Sequence, residues 1–185
     1  FGQIAEGNDD VAQAALFRKG IAQKLAGQIK DCETTFSSLP VRWPRGSYAD
    51  NALYELGMVR FDQKEHKNAR ACFERVTKEY PQSDLLANAY RLLGETCLLQ
   101  DEYEAAHQAF VSAMKVKGAP DEIVAGAVFQ DGWSLYKLKR YKEAETRFGR
   151  IVGSYPNHDR IDEAYFWLGE SLFETGDFKS ARMNY

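Results

Sequence analysis

The sequence has the length and composition of a small globular protein, with 185 residues, 44% of them hydrophobic and 28% charged, and a net charge of −3. So small a charge argues against a nucleic-acid-binding surface, and no apolar run approaches the roughly 18 residues that a membrane span requires. The three cysteines, Cys32, Cys72 and Cys97, include no CxxC pair and indicate neither a disulfide framework nor a zinc site. All three occupy apolar positions of helical patterns, so we expect free thiols in the core.

Five glycines recur at a nearly constant spacing. They are Gly20, Gly57, Gly94, Gly132 and Gly169, separated by 37, 37, 38 and 37 residues. Twelve residues after each glycine stands a small residue, in the series Cys32, Ala69, Ala106, Ala144 and Ala181. Four residues later stands an aromatic residue, in the series Phe36, Phe73, Phe110, Phe148 and Tyr185. Columns that keep one period over five copies predict a repeat architecture.

The repeats divide the chain as one array, with approximate bounds 10–46, 47–83, 84–120, 121–158 and an incomplete 159–185. In the second repeat the apolar spacing predicts helix A over roughly 47–61, where Ser47 and Asp50 resemble a capping box. A polar turn, DQKE, follows, and helix B is predicted from about His66 to Glu79. The proline of YPQSD ends helix B, since proline cannot continue a helix.

The small residues predict how the two helices of a repeat pack. Glycine in helix A and alanine in helix B allow a close approach, and the aromatic residue then fills the space between that pair and the next repeat. Helices of about 14 residues are marginal alone in water. We therefore expect the repeats to stabilise one another as neighbours in a one-dimensional array.

The pattern of tyrosine, leucine, glycine, alanine, aromatic residue and proline at fixed offsets resembles the tetratricopeptide repeat, over residues from about 10 to 185. The resemblance implies an all-α fold, a right-handed α–α superhelix of about five helix-turn-helix repeats that binds a protein or peptide in a concave groove. The usual period is 34 residues, and the extra residues here follow the proline, in YPQSDLLANAY and YPNHDRIDEAY.

This longer form is similar to a bacterial envelope subclass. That subclass includes the lipoprotein subunit of the outer-membrane β-barrel assembly machine and the periplasmic coordinator of the Tol–Pal system. The resemblance implies a place in the periplasm or at the outer membrane, and a part in envelope assembly or maintenance.

The resemblance also implies which residues face a partner, because the A helices line the concave side. The fifth position of helix A is aromatic in four of five repeats, and aromatic residues dominate binding hot spots. For any single aromatic residue, packing in the core between repeats stays open as an alternative. The candidate partner-binding residues are Phe17, Asn51, Tyr54, Met58, Asn88, Arg91, Glu95, Phe129, Trp133, Phe166 and Glu170.

The sequence carries no motif of an enzyme. HExxH, the phosphate-binding GxxxxGK[ST], GxGxxG and GxSxG are all missing. His66, His107 and His158 occupy different positions of different repeats, and we expect them at the surface or in turns. We predict no catalytic residue, metal or cofactor and no nucleic-acid partner, and hence a non-catalytic scaffold for protein–protein interaction.

Two features leave alternatives open. Asp131 stands where three other repeats have leucine, and it is either a half-exposed aspartate that reaches solvent or a nearby basic residue, or a polar contact for a partner. The chain ends within a helical pattern, FKSARMNY, so we interpret it as a piece of a longer protein. Such an end predicts the alternative function, a structural array that self-assembles by end-to-end stacking.

Overall fold

The computed structural model describes the backbone of residues 2–185 and the side chains of residues 9–185. Over this range the secondary structure consists of ten helices without a strand, which confirms the all-α prediction. No helix in the described part is both long and apolar enough to cross a bilayer. The helices are α1 Gly2–Leu25, α2 Ile29–Arg42, α3 Ala49–Asp62, α4 His66–Glu79, α5 Leu86–Leu98, α6 Tyr103–Lys115, α7 Asp121–Lys137, α8 Tyr141–Ser154, α9 Ile161–Glu174 and α10 Phe178–Asn184.

Helices that follow one another in sequence also pack against one another. The chain forms two compact units, and the division between them falls inside α5, between Ala89 and Tyr90. In the first unit α1 packs on α2, α2 on α3 and α3 on α4. In the second unit α6 packs on α7, α7 on α8, α8 on α9 and α9 on α10. Each unit is thus built from successive helical pairs, as in a solenoid of helix-turn-helix repeats.

The turn between the two helices of a repeat has the same backbone in all five repeats. Seven residues after each repeat glycine stands a residue with positive φ, in the series Gly27, Lys64, Asp101, Lys139 and Gly176. In the second repeat the amide of Lys64 donates to the carbonyl of Phe61, and the amide of Glu65 donates to the carbonyl of Arg60, each at 2.9 Å. This pair of bonds is the Schellman motif, which satisfies the last carbonyls of the first helix.

The repeat glycines lie directly against the repeat aromatic residues. A Cβ built on Gly94 would lie 2.5 Å from the ring of Phe110, and the other four repeats give 2.5–2.9 Å. The first four aromatic rings are fully buried. The aromatic residue therefore packs first on the glycine of its own repeat, which the sequence prediction did not include. The predicted contact with the next repeat is confirmed for Phe36, which shares a core cluster with Ala52 and Leu56 of α3.

The limits of the second repeat's helices were predicted unequally well. Helix B is confirmed at His66–Glu79, but helix A begins at Ala49 and the predicted capping box is wrong. Tyr48 is the N-cap without a side-chain hydrogen bond, and the Ser47 hydroxyl donates to Asp10 at 3.4 Å. The Ala49 amide donates to the carbonyl of Gly46, so the main chain satisfies the helix start without a side-chain cap. The cysteines are buried free thiols, as predicted.

The glycine–aromatic contact predicts opposite effects for two glycine-to-alanine changes. Gly94→Ala should lower the free energy of unfolding by about 1–3 kcal/mol, because the new methyl group must displace the buried Phe110 ring. Gly149→Ala in α8 is the control, since a Cβ there meets nothing within 4 Å. It should raise stability by up to about 1 kcal/mol through helix propensity. Urea unfolding followed by circular dichroism measures both changes, and a stabilising Gly94→Ala would contradict the packing described here.

Candidate functional site

The second compact unit contains a cavity of about 710 Å³. Two helices and one connection form its walls. Helix α5 contributes Arg91 and Glu95, and α7 contributes Gly126, Phe129 and Gln130. The connection between α8 and α9, residues 155–160, closes a further side.

The connection that closes the cavity lies in the stretch where the sequence predicts the residues that lengthen the repeat. Helix α8 ends at Ser154 and α9 begins at Ile161. The sequence between them is YPNHDR, the first part of the stretch YPNHDRIDEAY in which the extra residues were predicted.

A charged pair on α5 forms one polar wall. Arg91 and Glu95 stand four residues apart on one helix face, and the Arg91 Nη1 donates to Glu95 Oε1. Gln130 Nε2 of α7 donates to the same oxygen at 3.5 Å. Burial raises the pKa of the Glu95 carboxyl group, although Arg91 and the hydrogen bonds act in the opposite direction. The Arg91 Nε is buried and has no hydrogen-bond acceptor among the described residues.

Phe129 forms the apolar floor beside this pair, but other side chains cover it. The ring is 1% exposed. The Arg160 guanidinium lies 4.1 Å above the ring centroid in a cation–π contact, and the His158 ring is stacked at 6.0 Å. Arg160 is held by Glu163, with Nε and Nη2 donating at 2.8 and 2.6 Å. A ligand therefore reaches Phe129 only when Arg160 moves.

The structure brings three of the predicted site residues together, since Arg91, Glu95 and Phe129 all line this cavity. Trp133 does not line it. Its ring lies 5.9 Å from that of Tyr103 and 4.8 Å from the Lys137 ammonium.

Two further predicted residues lie near the last helix. Phe166 is 47% exposed, with its ring 6.1 Å from that of Tyr185. Glu170 accepts a hydrogen bond from the Tyr185 hydroxyl at 2.6 Å, which raises the pKa of Tyr185 to about 12.

The predicted residues of the first compact unit are half-buried. Phe17 lies against Phe36 at 5.8 Å and Tyr48 at 5.3 Å, and Tyr54 lies against Phe73 at 5.9 Å. These are core contacts, the alternative that the sequence left open. Asn51, Met58 and Asn88 are likewise half-buried, and a partner-binding role for these five residues stays a prediction.

Sequence reasoning missed Gln130, His158 and Arg160. The expectation that the histidines lie at the surface or in turns is confirmed for the place of His158, in the connection before α9, although its side chain is only 11% exposed. It is wrong for His107, which lies inside α6 with a side chain that is 14% exposed. The signal that could have found His158 and Arg160 is the lengthened stretch YPNHDRIDEAY, which contains both residues.

Comparison with known families decides the identity of the repeat. Two family models described as tetratricopeptide repeat match residues 48–118 and 129–185, together more than half of the chain. The chain belongs to the tetratricopeptide-repeat family. A search of curated proteins found no match.

Solved structures of other tetratricopeptide proteins share this fold at low sequence identity. A MamA protein has a TM-score of 0.78 at 17% identity, over 93% of this chain and 87% of that chain. PilF of Pseudomonas aeruginosa has a TM-score of 0.69 at 16% identity, over 95% and 74%. YrrB, described as a protein with an unusual peptide-binding site, has a TM-score of 0.73 at 16% identity, over 91% and 80%. At such identities the likeness concerns the fold alone.

One residue differs from the residues at the same position of the other repeats, and it is buried. Asp131 is 0% exposed, so the expectation of a half-exposed aspartate is wrong, whereas its pairing with a basic residue is confirmed. Its Oδ1 lies 2.6 Å from His107 Nδ1 of α6, and its Oδ2 accepts from Arg147 Nε of α8 at 2.6 Å. A buried carboxylate requires such partners, and the cluster ties α7 to both neighbouring helices.

Breaking this cluster should destabilise the tetratricopeptide array. We expect Asp131→Asn to lower the free energy of unfolding by about 3 kcal/mol, because it leaves Arg147 without its buried counter-charge. Asp131→Leu combined with Arg147→Met should recover most of the loss, since it restores the leucine of the other repeats and removes the unpaired charge. Urea unfolding measures both variants.

The control for this experiment is Glu143→Gln, which removes one member of an exposed ion pair with Arg140. It should change stability by less than about 0.5 kcal/mol. If Asp131→Asn lowers the free energy of unfolding no more than this control does, the buried cluster contributes nothing to stability.

Proposed function

We propose that this tetratricopeptide chain is a non-catalytic scaffold that binds a peptide or a peptide-like protein segment in the cavity beside α5 and α7. The cavity itself carries the proposal. Its volume of about 710 Å³ lies in the range of about 300–1,000 Å³ that is typical of ligand pockets. Apolar and polar side chains converge there, as recognition requires.

The polar wall is suited to a peptide backbone. Arg91 lines the cavity, and its buried Nε lacks an acceptor. Unpartnered buried donors are rare in native proteins, and a ligand carbonyl oxygen would supply the missing acceptor. Peptide carbonyls recur along any bound segment, so this contact orients a peptide without selecting its sequence. The tetratricopeptide fold, which this chain shares with YrrB and its unusual peptide-binding site, is consistent with this function.

We also propose that the protein acts in assembly or maintenance of a bacterial envelope, in the periplasm or at the outer membrane. The support is the sequence form of the repeats, in which YP is followed by a lengthened connection and a tyrosine-containing helix. The binding proposal does not depend on this location.

The cavity can be blocked without disturbing the core. Gly126 lines it, and a Cβ there meets only the Arg91 Cδ, at 3.7 Å. We expect Gly126→Phe to weaken peptide binding at least about tenfold, or about 1.4 kcal/mol, because the ring occupies the space of the ligand. The probe is a displayed library of random peptides about ten residues long, roughly 35 Å when extended. Fluorescence anisotropy of enriched peptides then gives the affinities.

Gly149→Phe is the matched control, because a Cβ at this α8 position meets nothing within 4 Å and Gly149 does not line the cavity. It should bind enriched peptides like the unchanged protein, and circular dichroism should show equal helicity for both variants. Peptides that bind equally well to Gly126→Phe would rule out this cavity as the site.

A second candidate function, self-assembly, is favoured by an apolar surface on the last two helices. Of ten large hydrophobic residues exposed in the described part, six lie between residues 165 and 185. Exposed apolar patches mark interaction sites. The six are Tyr165, Phe166, Phe173, Phe178, Met183 and Tyr185.

Self-assembly predicts association that depends on concentration and on Phe178, which is 61% exposed. Phe178→Glu should shift the sedimentation coefficient at high concentration towards that of the monomer, because the charge opposes burial of the surface. Leu99→Glu, at a residue that is 55% exposed and distant in sequence, is the control. A protein that sediments as a monomer at every concentration would exclude this function.

A further inference from the structure

The cavity beside α5 and α7 has an excess of negative charge. Two arginines line it, Arg91 and Arg160, against four carboxylates. The carboxylates are Glu95, Asp121, Glu122 and Asp159.

Both arginines are already neutralised by the protein itself. Arg91 pairs with Glu95, and Arg160 pairs with Glu163 at 2.6 Å. An acidic ligand would have to compete with these carboxylates for each guanidinium group. The arginines therefore do not make the cavity a site for an anion.

The three remaining carboxylates lie at the rim. Asp159 has a side chain that is 85% exposed, and Asp121 and Glu122 are exposed in the first turn of α7. Neither Asp121 nor Glu122 forms an ion pair with a described lysine or arginine. Carboxylates in a first turn stabilise a helix N-terminus, which accounts for these two locally. Asp159 stands in the connection before α9, where its Oδ1 lies 3.2 Å from His158 Nδ1.

Glu95 adds a carboxylate inside the cavity. Its Oε1 accepts the hydrogen bonds of both Arg91 and Gln130, whereas its Oε2 accepts none from the described residues. Its side chain is 19% exposed, so water screens this carboxylate less than it screens the carboxylates at the rim. A partly buried carboxylate gains more from a cationic neighbour than an exposed one does.

We propose that the cavity selects peptide segments that carry lysine or arginine, with the rim carboxylates attracting the basic side chains and Glu95 receiving one of them. This inference rests on the proposed function and adds the chemical class of the partner. Charges at a rim chiefly set the association rate and the selectivity, so the preference weakens as salt is added.

The test uses the same displayed random-peptide library and reads the net charge of the enriched peptides. We expect enriched sequences to be basic. The strongest binder is then synthesised in two forms, with its lysines and arginines kept or replaced by glutamine. Only the basic form should bind tightly, and added salt should weaken it.

A double variant tests whether the rim carboxylates cause the preference for basic peptides. Glu122→Gln with Asp159→Asn removes two rim charges and should weaken the basic peptide about three- to fivefold, the scale of exposed ion pairs. Asp31→Asn with Asp62→Asn removes two exposed charges from the first compact unit and should leave affinity unchanged. Basic peptides that bind the rim variant as well as the unchanged protein would overturn the inference.

The selection separates this inference from the proposed function. Enriched peptides that are neutral or acidic, but that no longer bind the Gly126→Phe variant, would support the binding function and overturn the basic preference. A selection in which no peptide binds the unchanged protein better than Gly126→Phe would overturn both.

Discussion

The contact between each repeat glycine and the aromatic residue 16 positions later is the constraint on which this array depends. A single methyl group at Gly94 would stand 2.5 Å from the Phe110 ring, so the two helices can reach their observed packing only where helix A presents no side chain. The same rings join the core between repeats, as Phe36 does with Leu56. One steric condition therefore sets the packing within a repeat and contributes to the packing between repeats.

The candidate site follows from this repetition. Arg91 and Phe129 hold the same position of successive A helices, so stacking of the repeats places both against one cavity. The connection before α9 then closes a further side of the cavity. In such an array, specific recognition comes from side chains that differ from one repeat to the next. Arg160 and Asp159, on this connection, are such side chains.

A residue that differs from the repeat pattern can make contacts that the other repeats lack. Asp131 replaces a leucine and is buried, and it is retained in the core by His107 and Arg147 of the flanking helices. A buried carboxylate between two basic partners is more directional than a leucine contact, since each hydrogen bond fixes a distance and an angle. The cluster thus defines how α6 and α8 sit against α7.

The sequence by itself determined the repeats, the all-α class and helix B at His66–Glu79, because a steric requirement that recurs in five repeats produces a periodic pattern. The left-handed turn at Lys64 repeats too, but glycine, lysine and aspartate share its position, so no column of one residue type revealed it. The burial of Asp131 and the covering of Phe129 by Arg160 were decided only by the tertiary structure. Each depends on a contact between helices or connections distant in the chain that occurs once, and a single contact leaves no periodicity in the sequence.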